Sequence, residues 1–203
     1  MSRFLLKTLT VALLTSTALA DDETRQLEAH EHGHGTLNIA IEGKKVSMEL
    51  EAPGSDIVGF EHVAKSDADK AAVVQARAAL EQPLDLFVLT KEAECTVTTA
   101  KVTIVIEDDH YGEDKEQATH DQSHDDHENE SHNDLKPQAA HNEYRGEFEL
   151  ACARPKALTS ITFAYFDKFP GAEELEVNVI SEHGQTSYEV EHDSGTISLK
   201  GVM

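Results

Sequence analysis

Leu37-Asn38-Ile39-Ala40-Ile41-Glu42-Gly43-Lys44-Lys45-Val46-Ser47-Met48-Glu49-Leu50-Glu51 alternates apolar and polar residues twice over. Successive side chains of an extended chain point to opposite faces, so Leu37, Ile39 and Ile41 share one side. After Gly43-Lys44-Lys45 the same holds for Val46, Met48 and Leu50. Two such runs around a glycine-containing turn predict a hairpin with one apolar face, ended by Pro53-Gly54.

Downstream the period changes. Ser66-x-x-Asp69 has the form of a capping box and opens an alanine-rich run from Asp67 to Glu81 that reads as a helix, stopped by Pro83. Its small side chains suit packing on a sheet. Cys95 to Ile106 is dense in Val, Ile and Thr and reads as a strand. Gly146, Phe148, Leu150 and Cys152 lie on one face of another. Further strands are expected at Ser160–Phe166, Glu174–Ile180, Thr186–Val190 and Thr196–Leu199, with turns at Gly184 and Ser194-Gly195. His183 falls in such a turn, where His tolerates positive φ, and His192 reads as a surface residue. The count predicts an α+β, β-rich domain: antiparallel sheets with at least one packed helix at about 67–81.

Residues 107–142 interrupt this pattern. They hold twelve acids, two lysines and six histidines, with Leu135 the one large aliphatic residue. Such a composition buries too little apolar area to offset the entropy of ordering, so a disordered His/Asp-rich loop is expected. Cys95 and Cys152 would then stand near its two ends, where a bridge would clip the base.

The first twenty residues bear on compartment. Arg3 and Lys7 precede an apolar stretch from Phe4 to Leu14, and Ala18-Leu19-Ala20 has the small-x-small form that a signal peptidase accepts. The run is shorter than the roughly 20 residues a membrane span needs. Cleavage after Ala20 would leave residues 21–203 as one metal-binding domain, secreted and with no membrane span. In an oxidising compartment an isolated pair, Cys95 and Cys152, reads as a disulfide, with buried thiols or a soft metal site as alternatives. The formal charge of the whole chain is −22. Such a field attracts cations and disfavours nucleic acid and anionic membranes as partners.

Twelve histidines carry the candidate chemistry. His30-Glu31-His32-Gly33-His34-Gly35 directly precedes the first strand, and alternate imidazoles of an extended chain can converge on one ion. His62 and His141 each stand alone in sequence, and alone each reads as a surface histidine. A closed tetrahedral site takes four N, O or S donors. His32, His34, His62 and His141 are the candidates for it, with His30, Glu61 and Glu143 as alternatives. His110, His120, His124, His127 and His132 lie in the acidic insertion and read as auxiliary, exchangeable metal ligands. An insertion of this length has an r.m.s. span of roughly 33 Å, enough to hand an ion to a core site. Imidazole suits zinc, copper, nickel and iron alike.

A resemblance narrows that choice. His30-Glu31-His32-Gly33-His34-Gly35-Thr36-Leu37, then Ala52-Pro53-Gly54 and Gly59-Phe60-Glu61-His62, resemble the ZrgA family of zinc-regulated periplasmic proteins of Gram-negative bacteria. Cys95, the His-rich insertion, His141-x-Glu143-Tyr144, Cys152 and Phe166 to Pro170-Gly171 are similar as well. The resemblance implies a periplasmic location, Zn2+ as the bound ion, and a role in zinc acquisition beside a membrane zinc importer. A buffer that sequesters excess zinc, copper or nickel is the alternative. Catalysis is not expected: there is no His-Glu-x-x-His, nucleophile elbow or phosphate-cradling glycine loop.

Overall fold

A computed structural model describes residues 31–107 and 141–203. The expected signal peptide at 1–20, His30, and the auxiliary histidines His110, His120, His124, His127 and His132 lie outside the described residues. So does most of the expected loop.

The hairpin is β1 (His34–Glu42) and β2 (Lys45–Pro53), joined by a two-residue turn in which Gly43 has φ +57°. Leu37 faces Leu50, Ile39 faces Met48 and Ile41 faces Val46 across the ladder, and all six are buried. Fully burying an aliphatic side chain of this size stabilises by roughly 1.5–3 kcal/mol. A one-residue slip would expose the whole set, which is what pins the register.

Three helices follow: α1 (Gly54–Val58), α2 (Asp67–Leu80) and α3 (Pro83–Leu86). The capping box of α2 is reciprocal. The Asp69 amide donates to Ser66 Oγ at 3.0 Å, and the Ser66 amide donates to Asp69 Oδ2 at 3.1 Å. Then come β3 (Phe87–Leu89), β4 (Cys95–Glu107), β5 (His141–Cys152), β6 (Ser160–Phe163), α4 (Tyr165–Lys168), β7 (Glu174–Ser181), β8 (Gly184–Glu191) and β9 (Thr196–Ser198). The protein is an α+β, β-rich fold. A six-stranded sheet runs β4-β5-β2-β1-β7-β8, and a three-stranded sheet runs β3-β6-β9. One core joins the apolar face of the large sheet to Phe87, Ile161, Phe163, Tyr165, Phe166 and Phe169.

Several sequence expectations need correction. All pairs are antiparallel except β1 with β7, which run parallel. The intervening helices and small sheet supply the long crossover that a parallel pair requires. Residues 164–166 are not strand: Ala164 caps α4, and Tyr165 and Phe166 are both buried. Burial of both neighbours fits a helical turn, since a strand facing one core would bury alternate positions. The β4–β5 ladder runs through Glu107 paired with His141, so strand pairing claims residues assigned to either end of the loop at 107–142. His183 stands in the β7–β8 turn without positive φ, which among described non-glycine residues occurs at Glu94 alone.

Cys95 and Cys152 form a disulfide, at positions directly paired across β4 and β5. The bridge does not clip the base of the insertion. It closes the opposite end of the ladder from the Glu107–His141 pair. Strand pairing between the two ends, and not the bridge, brings residues 107 and 141 together.

Candidate metal centre

The chain enters β1 through a tight turn, with the His34 amide donating to the Glu31 carbonyl at 3.2 Å. Gly33 within this turn has φ +86°, a conformation that favours glycine. The turn breaks the strand alternation, so His32 and His34 go to different partners.

His32 Nε2 lies 2.7 Å from Glu61 Oε1. His141 Nδ1 lies 2.7 Å from Glu61 Oε2. One carboxylate is thus held between two imidazoles from segments far apart in sequence. Glu61 follows α1, whose C-terminal Gly59 takes φ +81° and turns the chain outward. His141 opens β5, and the neighbouring Asn142 amide Nδ2 donates to the His62 carbonyl at 3.4 Å, tying β5 to the Glu61 segment. The Glu61 side chain is 15% exposed, against 64% for His32 and 45% for His141. The anion is therefore recessed and the rings face solvent.

Burial alone pushes the Glu61 carboxyl up, but the hydrogen bonds from His141 and His32, and their charge, hold it below its ordinary value of 4.5. A depressed carboxylate contributes stability that is present above its unfolded value and lost as pH falls through the folded one. Metal-free protein is therefore expected to lose stability on acidification below pH 4.5, and Glu61→Gln to remove part of that loss. Denaturant midpoints of both proteins over this range test the point; identical pH dependence would contradict the arrangement.

The other candidates lie elsewhere. His34 Nδ1 is 3.8 Å from Glu174 Oε1, at a cleft of about 430 Å³ also lined by Glu173, Glu191, His192 and Asp193. His62 stacks on Phe60 with ring centroids 4.6 Å apart, and its Nδ1–H donates to the Val63 carbonyl at 3.1 Å. Glu143 is buried and its carboxylate is taken by the Arg145 guanidinium. The structure thus joins His32 and His141 through Glu61, while His34 faces Glu174, His62 stacks on Phe60 and Glu143 pairs with Arg145. Among the described residues no three His, Cys, Asp or Glu side chains already stand in metal-holding geometry. The 2.7 Å contacts are hydrogen bonds.

Asp56 was missed from sequence. It is 3% exposed, and its Oδ1 accepts the Gly33 amide at 2.8 Å and the Ser55 hydroxyl at 2.9 Å. Its burial pushes the carboxyl up despite these two bonds and the charge of His32, and Glu61 pushes it further. The signal available was an acid beside Ile57 and Val58 in a one-turn helix, which by itself reads as a solvated face.

Among the described residues no helix is long and apolar enough to cross a membrane. No curated protein matches the chain. A family model described as ZrgA family zinc uptake protein matches residues 29–199, a span that includes His32, Glu61 and His141. A match over most of the chain settles membership: the protein belongs to the ZrgA family of zinc uptake proteins.

Proposed function

We propose that this protein captures zinc in the periplasm through His32, Glu61 and His141 and supports its delivery to a membrane importer. The observation that carries the reading is the single recessed carboxylate between two solvent-facing imidazoles. Two nitrogens and a carboxylate are a donor set that zinc accepts, and they leave one tetrahedral position for water or for a receiving ligand. Zinc here is cargo, so an open position suits uptake and release.

Loading the ion requires these three side chains to regroup around it, since they do not stand in metal-holding geometry in the metal-free arrangement. In the metal-free arrangement each imidazole N–H is held by Glu61. A ring nitrogen that binds zinc must first give up its proton, lost from an imidazolium or passed to the ring's other nitrogen in a neutral ring, so binding weakens on acidification. Tetrahedral bonds of about 2.0–2.1 Å separate neighbouring donor atoms by about 3.3 Å. The observed N···O contacts of 2.7 Å therefore have to widen by about 0.6 Å, and both rings have to turn onto one ion. His32 and His141 are exposed enough to make this shift by rotation of their rings. The auxiliary histidines of the acidic insertion are proposed to collect zinc loosely and raise its concentration near this site. Family membership supports zinc over the other metals that imidazole accepts.

A deletion strain complemented with the wild-type gene or with a His32→Ala/His141→Ala allele tests this function. Under zinc chelation the wild-type gene is expected to restore growth and the double-alanine allele to fail. A growth defect confined to metal excess would instead support a buffer.

A further inference from the structure

We propose that Asp56 is a positioning residue for the zinc site: by holding the Gly33 amide it sets where His32 meets Glu61. The inference rests on the reading of His32, Glu61 and His141 as that site.

Gly33 is pinned on both sides. Its amide donates to Asp56 Oδ1 at 2.8 Å, in a buried contact that links residues 23 apart in sequence. Its carbonyl accepts from the amides of Glu173 and Glu174, each at 2.8 Å. A side chain at Gly33 would press on the Glu173 side chain, with contacts of 3.1–3.3 Å, and the φ of +86° adds strain to any replacement. His32 is the next residue back, so the orientation of the Gly33 peptide dictates the direction in which the His32 side chain leaves the backbone.

Asp56 also stands close to Glu61 along the chain. It lies in α1, five residues before Glu61, and the Gly59 amide closes that helix onto the Ser55 carbonyl at 3.0 Å. The same short helix therefore grips the segment carrying His32 and launches the segment carrying Glu61. Asp56 acts on the meeting of the two from inside the fold, without touching either side chain's contact atoms. A carboxylate makes stronger bonds to amide and hydroxyl donors than a neutral acceptor does. Burying one without a cationic partner is unfavourable, and Asp56 Oδ2 has no hydrogen-bond partner among the described residues. An acid is thus a poor choice for packing here and a good one for fixing an amide. Partners that orient metal ligands from behind commonly influence affinity in this way.

The test is zinc affinity of the full chain, measured by competition with a chelator, alongside the melting temperature of the metal-free protein. Asp56→Ala is expected to weaken the tight zinc phase about 10- to 100-fold, the range seen when an orienting partner of a ligand is removed. Asp56→Asn keeps an oxygen acceptor for Gly33 and is expected to restore most of the affinity. In a His32→Ala background Asp56→Ala is expected to bring no further loss, because both act through one ligand. Should Asp56→Ala fail to fold, Asp56→Ser, whose hydroxyl is too short to reach the amide, is read by the same criteria.

Unchanged affinity in the folded variant would overturn the role. So would an Asn variant as weak as the Ala variant, or losses that multiply in the His32→Ala background. Loss of affinity in His32→Ala and His141→Ala with none at Asp56 would sink the Asp56 role alone. Unchanged affinity in His32→Ala and His141→Ala would sink the site reading itself.

Discussion

Replacing His32 and His141 by alanine together is expected to abolish the tight phase of zinc binding while leaving the fold in place. Both rings are largely solvent-facing, so their removal opens no cavity in the core. Surface substitutions of this kind ordinarily change stability by about 0.5 kcal/mol or less. What is lost is the pair of neutral nitrogen donors, leaving Glu61 as a lone carboxylate that binds zinc weakly. Either single substitution should cost more than the roughly 10- to 100-fold typical of an orienting partner, because a ligand itself is removed. Glu61→Gln should have a comparable effect, since a neutral amide replaces the one anionic donor. His34→Ala and His62→Ala should each change the tight phase by less than about threefold: the first ring faces Glu174 and the second is stacked on Phe60. Chelator competition with the metal-free melting temperature as control separates these cases. A tight phase that survives the double substitution, or one that disappears with His34 or His62 instead, would place the site elsewhere.

Cys95→Ser/Cys152→Ser is expected to produce the largest change in stability. The bridge closes a loop with a sequence separation of 57 residues. On the chain-entropy account its loss destabilises by about 4 kcal/mol. For a domain of this size about 2–4 °C of melting temperature follows each kcal/mol, so a drop of roughly 8–16 °C is expected. Zinc affinity should scarcely change, because the bridge and His141 are at opposite ends of β5 and the ladder between them is held by its own pairing. Thermal melts and zinc titrations of oxidised wild type and the serine variant check both halves. A large loss of zinc affinity with intact secondary structure would show that the two ends of the ladder are coupled.

Much of the fold was legible in the sequence because its signals are local. The alternation from Leu37 to Leu50 specified a hairpin and its buried face, and the structure pairs those residues across one ladder. Ser66 and Asp69 announced the start of α2 and make both bonds of the capping box. The parallel pairing of β1 with β7 was not legible, since it joins residues about 140 positions apart and leaves no local mark. The break at Ala164 was likewise decided by packing, where the aromatic cluster around Tyr165 takes both neighbours inward.

The site divides along the same line. Spacing singled out His32 and His34 as candidate donors, and the need for four donors added His62 and His141, with Glu61 as an alternative. Which of them meet is a property of the backbone path. Period-two reasoning puts His32 and His34 on one face, yet Gly33 at φ +86° sends His32 to Glu61 and His34 to Glu174. Glu61 and His141, 80 residues apart, face one another because α1 and the start of β5 are packed side by side. The sequence by itself determined the chemistry on offer. The tertiary structure decided the grouping, since a single glycine turn and two long-range contacts outweigh the periodicity of an extended chain.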